Sequence, residues 1–151
     1  MRHWNHSEIA EVEVLSGCFW LARRSAVAEV GGLDERFFFY AEDLDWCKRF
    51  RDAGWKLAFV PLATATHFGG GSSGNAPLKY SIEMLKANSA YWQKHHGGLG
   101  QGAYYLTALL HHGVRFVLRG VRRLMRHNMS DNHKFSEHAV CLRWLLTGVG
   151  V

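Results

Sequence analysis

The sequence predicts an α/β domain followed by an α-helical region. Between residues 11 and 60, short apolar runs alternate with helical segments and end at glycine or proline. After Pro77, two long segments show the periodicity of amphipathic helices. Residues 1–75 carry 8 basic and 10 acidic side chains, whereas residues 76–151 carry 10 and 3. We therefore divide the chain into two regions, 1–75 and 76–151.

The composition is that of a folded globular protein, since 48% of the 151 residues are hydrophobic and only two are proline. The three cysteines, Cys18, Cys47 and Cys141, give neither a disulfide framework nor a cysteine-based metal motif. The most apolar stretch, 103–121, is interrupted by histidine and arginine, so we do not expect a transmembrane helix.

The first predicted strand covers Glu11–Ala22. It starts with alternating residues and becomes continuously apolar from Cys18, which is typical of a strand buried on both faces. Ser16 and Gly17 interrupt it, and a glycine inside a strand marks a bulge or the close approach of another backbone or a ligand. A short helix over Ala26–Val30 follows, because Gly31-Gly32 then ends the pattern.

Four aromatic residues, Phe37–Tyr40, run directly into three carboxylates, Glu42, Asp43 and Asp45, at the start of a predicted helix over Leu44–Ala53. One explanation is capping, because free N–H groups and the helix dipole stabilise acids at a helix N-terminus. The other is an apolar wall leading to a site, in which repulsion between neighbouring carboxylates suits one of them to act as a general base. These residues alone leave both explanations open.

A second strand is predicted over Trp55–Val60, and Pro61 ends it. His67 follows a short extended piece and precedes a glycine-rich loop, 68–75. That loop lacks the lysine of a phosphate-binding P-loop and is not a dinucleotide fingerprint. A single histidine is more often structural than a ligand, and both roles are considered for His67.

The second region predicts helices over Leu78–His95, Tyr104–His127 and Phe135–Thr147, with a break at Gly97–Gly102 and a loop at Asn128–Lys134. The middle helix has a Leu/Val face and an arginine face. It is either a surface helix packed on the domain or an interfacial helix on anionic lipid, with arginines at headgroup level. No nucleic-acid partner is expected, because no recognised binding motif accompanies the arginines.

The order of these pieces resembles the acceptor-side half of family 2 glycosyltransferases, above all the bacterial rhamnosyltransferase-like members. The resemblance rests on a strand with Ser-Gly, a helix ending Gly-Gly, Leu-Asp-Glu-Arg-Phe-Phe, Tyr-x-Glu-Asp-x-Asp, a helix ending Ala-Gly-Trp, a strand ending Val-Pro, and the histidine that follows. It is dense over residues 12–75 and weaker over 76–127. It implies a partial GT-A fold, the acceptor half of a mixed sheet with flanking helices.

The resemblance also implies roles for particular residues. Asp43 matches the catalytic base, and Glu42 would support it or touch the acceptor. His67 matches a ligand of the divalent metal, manganese or magnesium, on the donor diphosphate. Ser16 and Gly17 match the strand beside the donor. The implied reaction is inverting transfer of a sugar from a nucleotide-diphosphate donor to a glycan or lipid-linked acceptor.

Four further residues are predicted to contact substrate. Phe39 and Tyr40 would shape the acceptor pocket, and Asp45 and Arg49 are additional candidates. Arg49 lies where a basic residue of the helix after the base often occurs in this family, and Lys48 and Arg51 are alternatives for that position.

The sequence departs from the family pattern in one respect. The nucleotide-binding units and the Asp-x-Asp metal motif, which come first in that family, do not precede Val12. We therefore expect a fragment that is inactive without that half. A cytoplasmic protein, peripheral on the inner face of the cytoplasmic membrane, is expected. The alternative is a non-catalytic membrane-surface or partner-binding module derived from a transferase half.

Overall fold

The computed structural model describes residues 5–67, 74, 76–126 and 129–149, and the side chains in these ranges except those of 126 and 129–133. The chain divides into two units, Met1–Gly69 and Gly70–Val151. The elements of the first unit are β1 (Ala10–Val12), α1 (Arg24–Val30), α2 (Glu42–Asp52) and β2 (Leu57–Phe59), and those of the second are α3 (Pro77–Arg126) and α4 (Met129–Thr147). The predicted glycine-rich loop lies outside the described residues except for Gly74.

The sheet of the first unit has two antiparallel strands, with Ala10 opposite Phe59 and Val12 opposite Leu57. The first strand is therefore much shorter than predicted, and the strand prediction over residues 13–22 is wrong. A strand needs a neighbouring backbone for its N–H and C=O groups, and within the described ranges no strand pairs with these residues. Their apolar side chains are correspondingly exposed, 63% for Phe19 and 97% for Leu21.

The helices of the first unit lie where the sequence predicts them, with earlier starts. Helix α1 begins at Arg24, two residues before the predicted start at Ala26. Helix α2 begins at Glu42 and carries its acids in the first turn and two arginines in its last turn. This charge order is favourable because it complements the helix dipole at both ends.

An ion pair within α2 ties that helix to the end of α1. The Asp45 side chain is fully buried, and Arg49 Nε donates to its Oδ2 over 2.8 Å. The two terminal nitrogens of Arg49 donate to the carbonyl oxygens of Val30 and Gly32, over 2.8 and 2.7 Å. One guanidinium therefore neutralises the buried acid and satisfies two backbone carbonyls at the C-terminal end of α1.

An aromatic group on α2 strengthens the same contact. The Trp46 ring lies 5.0 Å from that of Trp20 and 4.9 Å from that of Phe50. Trp46 Nε1 donates to the Gly31 carbonyl over 2.8 Å. Three consecutive carbonyls at the C-terminal end of α1, those of residues 30–32, thus accept hydrogen bonds from side chains of α2.

The second unit is a bundle of helical segments. Helix α3 bends at Gly97, whose φ of 67° is left-handed and favours glycine. The break is confined to this residue rather than extending to Gly102 as predicted. Leu85 and Ala108, on either side of the bend, share one buried cluster with Cys141 of α4. The two parts of α3 therefore run back along each other.

Helix α4 packs antiparallel against the second part of α3. His112 Nδ1 lies 3.0 Å from His138 Nδ1, and the Phe116 and Phe135 rings stack with centroids 4.6 Å apart. Helix α4 begins at Met129, so the loop predicted up to Lys134 is wrong. Polar residues there indicated a turn, but here they extend the helix by more than a turn.

The apolar face of α3 does not pack on α4. We call the following residues the Leu/Val stripe: Leu106, Leu110, Val114, Val117 and Val121, which recur every three or four residues and are 49–61% exposed. The side toward α4 instead carries His112, Phe116 and Arg123, whose guanidinium lies 5.4 Å from the Phe135 ring. No helix among the described residues combines the length and hydrophobicity that a bilayer crossing requires.

Replacing Asp45 with asparagine tests the buried ion pair. Loss of the charge leaves the guanidinium of Arg49 without its counter-ion, so the free energy of unfolding should fall by about 3 kcal/mol. Asp52→Asn is the matched control on the same helix, because its pair with Lys48 is exposed and should contribute less than about 1 kcal/mol. Urea denaturation followed by tryptophan fluorescence measures both, and equal effects would contradict the account.

Acid should weaken the contact between α3 and α4. Burial, reinforced by the nearby His138 and His111, lowers the pKa of His112 from 6.5 to about 4. The unfolded chain therefore binds a proton that the folded chain does not, and stability falls as the pH drops from 6.5 towards about 4. Thermal unfolding followed by circular dichroism across this range should show a smaller decline for His112→Gln. The exposed His96→Gln serves as control, and an identical decline in all three proteins would refute the assignment.

Candidate functional site

The predicted site is entered through a strained backbone. Tyr40 and Ala41, immediately before α2, have φ values of 70° and 64°. Left-handed conformation costs a non-glycine residue roughly 1–2 kcal/mol. Such strain persists only where surrounding contacts enforce it, and it clusters at functional sites. The chain therefore changes direction between the end of the aromatic run and the acids at the start of α2.

The aromatic run does not form one continuous wall. Phe37 is buried, whereas Phe38 is 89% exposed. Phe39 and Tyr40 are half-buried and pack edge to face, with ring centroids 4.6 Å apart. These two rings, which the sequence assigned to the acceptor pocket, therefore lie together just before the acids.

Asp43 lies against Gly17 of the Ser16-Gly17 segment. The Gly17 backbone N–H donates to Asp43 Oδ2 over 3.3 Å, and the Leu44 N–H donates to Oδ1 over 2.8 Å. A carboxylate has about four lone-pair positions, so both oxygens can accept further hydrogen bonds. The side chain is half-buried and thus reachable from solvent. The structure brings together a proposed base and a backbone segment 26 positions earlier.

Cys47 holds this arrangement in place, one helical turn after Asp43 and on the same face of α2. The Leu15 N–H donates to Cys47 Sγ over 3.4 Å, and the thiol donates to the Leu15 carbonyl over 3.7 Å. Burial raises the pKa of Cys47, which keeps the thiol protonated as a donor. Sequence reasoning missed this residue, and the four-residue spacing from Asp43 was the only sign of it.

Glu42 and Ser16 complete the surroundings of Asp43. Glu42 Oε2 is buried and accepts no hydrogen bond from the described part of the chain. An unpaired buried acceptor costs about 1–3 kcal/mol, so this oxygen is suited to receive a donor from a bound molecule. Ser16 Oγ lies 3.2 Å from Cys18 Sγ and borders an open groove of about 1120 Å³ with Trp20, among other side chains.

Comparison with known proteins identifies the relatives of this chain. The N-acetylglucosaminyl-diphospho-decaprenol L-rhamnosyltransferases of two strains of Mycobacterium tuberculosis, CDC 1551 and H37Rv, are each 35% identical to it over 115 residues. The chain is a homologue of rhamnosyltransferases. The aligned part is 76% of this chain and 34% of each relative. The chain thus spans about a third of the length of these curated relatives.

A second relative agrees with the first. Rhamnosyltransferase WbbL of Escherichia coli K12 is 40% identical over 57 residues, which are 38% of this chain and 22% of that protein. No family model matches the chain, and no solved structure matches it significantly. The curated relatives from Mycobacterium tuberculosis and Escherichia coli confirm the resemblance to rhamnosyltransferases that the sequence indicated.

Two predicted substrate contacts of this rhamnosyltransferase homologue have structural partners instead. Asp45 is fully buried against Arg49, and Arg49 bonds the carbonyls of Val30 and Gly32. The observed role of this pair is to fix α2, and a substrate role for either residue stays a prediction.

The metal ligand predicted at His67 lies at the end of the described part of the first unit and is exposed. Within the described ranges, no group of three or more histidine, cysteine or acidic side chains is arranged to hold a metal ion. A divalent ion of this type normally takes several oxygen ligands, so the residues described here do not by themselves fit it. The metal role of His67 stays a prediction.

Proposed function

We propose that this chain is the acceptor-side part of an inverting glycosyltransferase of family 2, with Asp43 as the base. The observation that carries the proposal is the contact between Asp43 Oδ2 and the Gly17 N–H, in a homologue of rhamnosyltransferases. It joins the proposed base to the segment that resembles the donor side of the family's site. Capping alone would place an acid at the start of α2 but would not require this contact.

The proposed chemistry needs one proton acceptor beside the acceptor hydroxyl. Asp43 takes the hydroxyl proton while that oxygen attacks the anomeric carbon of the donor sugar. The bond from that carbon to the nucleoside diphosphate breaks on the opposite face, so the configuration inverts. The proton remains on Asp43 and then passes to solvent, which the half-buried position of this side chain permits.

Neighbouring groups orient the acceptor in this proposal. Glu42 Oε2 accepts a hydrogen bond from a second hydroxyl of the acceptor sugar, and this bond fixes the angle of attack. The Phe39–Tyr40 pair supplies an apolar surface for the same sugar. Gly17 restrains the Asp43 carboxylate through its N–H, so the base is held in place before substrate binds.

The relatives narrow the substrate classes. Their names favour rhamnose as the transferred sugar, which we propose is carried on thymidine diphosphate. The name of the mycobacterial relatives includes a diphospho-decaprenol, and we propose a lipid-linked acceptor for this chain as well. Because the chain spans about a third of those proteins, we expect no transfer by these 151 residues alone.

A chimaera tests the proposal. The segment of the mycobacterial rhamnosyltransferase that aligns with this chain is replaced by this chain, and transfer of labelled rhamnose to the lipid-linked acceptor is measured. The proposal predicts transfer by the chimaera. A chimaera that is folded by circular dichroism and binds the nucleotide sugar, yet transfers nothing, would count against it.

Within that chimaera, Asp43→Asn should lower kcat by about 10²–10⁴-fold, because the amide cannot accept the hydroxyl proton. Binding of the nucleotide sugar, measured by calorimetry, should not change. Asp52→Asn removes an exposed carboxylate from the same helix and should leave kcat as it is. Full turnover by the Asp43→Asn chimaera would sink the base assignment.

A further inference from the structure

The Leu/Val stripe is an exposed apolar surface on a helix that already has a packing partner. Leu106 and Leu110 are each 61% exposed, and Val117 is equally so. The opposite side of α3 packs on α4 through the His112–His138 and Phe116–Phe135 contacts. Contiguous exposed apolar surface of this kind marks an interaction site, since burial of such side chains is favourable.

The charge on this helix indicates what covers the stripe. Residues 104–126 contain five arginines and neither aspartate nor glutamate. Arg115 and Arg122 are exposed and directly follow Val114 and Val121 of the stripe. An apolar band with cations along its edge matches a bilayer surface, where the band enters the acyl boundary and the cations meet anionic headgroups.

A second copy of this chain fits the surface less well. Two copies joined through the stripe would bring the arginines of both helices near one another. The segment 104–126 supplies no acid to offset that repulsion. A polyanionic surface removes the repulsion and attracts each cation near it.

We propose that the Leu/Val stripe of α3 docks on the surface of an anionic lipid bilayer, with the helix axis in the plane of the interface. The stripe covers 16 residues, from Leu106 to Val121, and the rise between its ends is about 22 Å. It lies on the bilayer and does not cross it, in keeping with the hydropathy of the described helices. The proposal does not rest on the transferase activity.

Vesicle co-sedimentation of the full chain tests this docking. The vesicles are phosphatidylcholine, with or without phosphatidylglycerol. Wild type should bind only those with phosphatidylglycerol, and binding should weaken with added salt. Leu110→Asp should lower the partition coefficient roughly tenfold or more, because a leucine that enters the acyl boundary is replaced by a charged side chain. Leu146→Asp is the matched control, since Leu146 is an exposed leucine of α4 outside the stripe, and it should bind as wild type does.

Each outcome decides the proposal. Val117→Asp, a second stripe variant, should repeat the loss seen for Leu110→Asp, and circular dichroism establishes that the variants are folded. Equal binding by folded stripe variants and wild type would overturn the assignment, as would equal binding to vesicles without phosphatidylglycerol. Absence of vesicle binding, with a dimer in sedimentation velocity that Leu110→Asp dissociates, would assign the stripe to a second copy and refute the lipid.

Discussion

The guanidinium of Arg49 is the contact on which the arrangement of the first unit depends. It neutralises the buried Asp45 and bonds the carbonyls of Val30 and Gly32, so it fixes both the position of α2 and its rotation about its own axis. A shift of one residue along a helix turns a side chain by about 100°. Such a shift would move Asp43 away from Gly17, so the geometry of the proposed site follows from an ion pair on another face of the same helix.

One face of α2 anchors the helix, and another face forms part of the proposed site. Asp45 and Arg49 anchor the helix to the end of α1, while Asp43 and Cys47 meet the segment of Leu15 and Gly17. The buried pair has little exposure to water, so its geometry is rigid. The proposed base is half-buried and keeps free lone pairs. The chain enters α2 through two strained residues, Tyr40 and Ala41, which have left-handed backbone conformations.

Sequence reasoning found the features that depend on local order. The acids at the start of α2, the glycine at the bend of α3 and the resemblance carried by Ser16-Gly17 and Glu42-Asp43 were all visible in the residues. The structure then places Gly17 on Asp43, which periodicity could not have shown. The spacing of Asp45 and Arg49 was visible too, but their burial was not, since it depends on carbonyls about 17 positions away.

The errors have a common physical cause. The apolar run from Cys18 to Ala22 has the composition of a buried strand, but strand structure depends on a partner backbone. The Leu/Val face of α3 has the pattern of a core-facing surface, yet it points to solvent while histidine and phenylalanine contact α4. A pattern shows which side chains favour burial, and it does not show what buries them.

The central claim is that Asp43, restrained by the Gly17 N–H, is the base beside a bound acceptor, and the backbone amide of Gly17 reports on that site directly. In a two-dimensional NMR spectrum of the 151-residue chain, a short-chain N-acetylglucosaminyl diphosphate lipid should shift the amide resonances of Gly17, Asp43 and Leu44 in proportion to its occupancy. The same addition to Glu42→Ala, which lacks the proposed hydrogen-bond acceptor Oε2, should give clearly smaller shifts. Shifts confined to the second unit, or identical shifts in both proteins, would contradict the account.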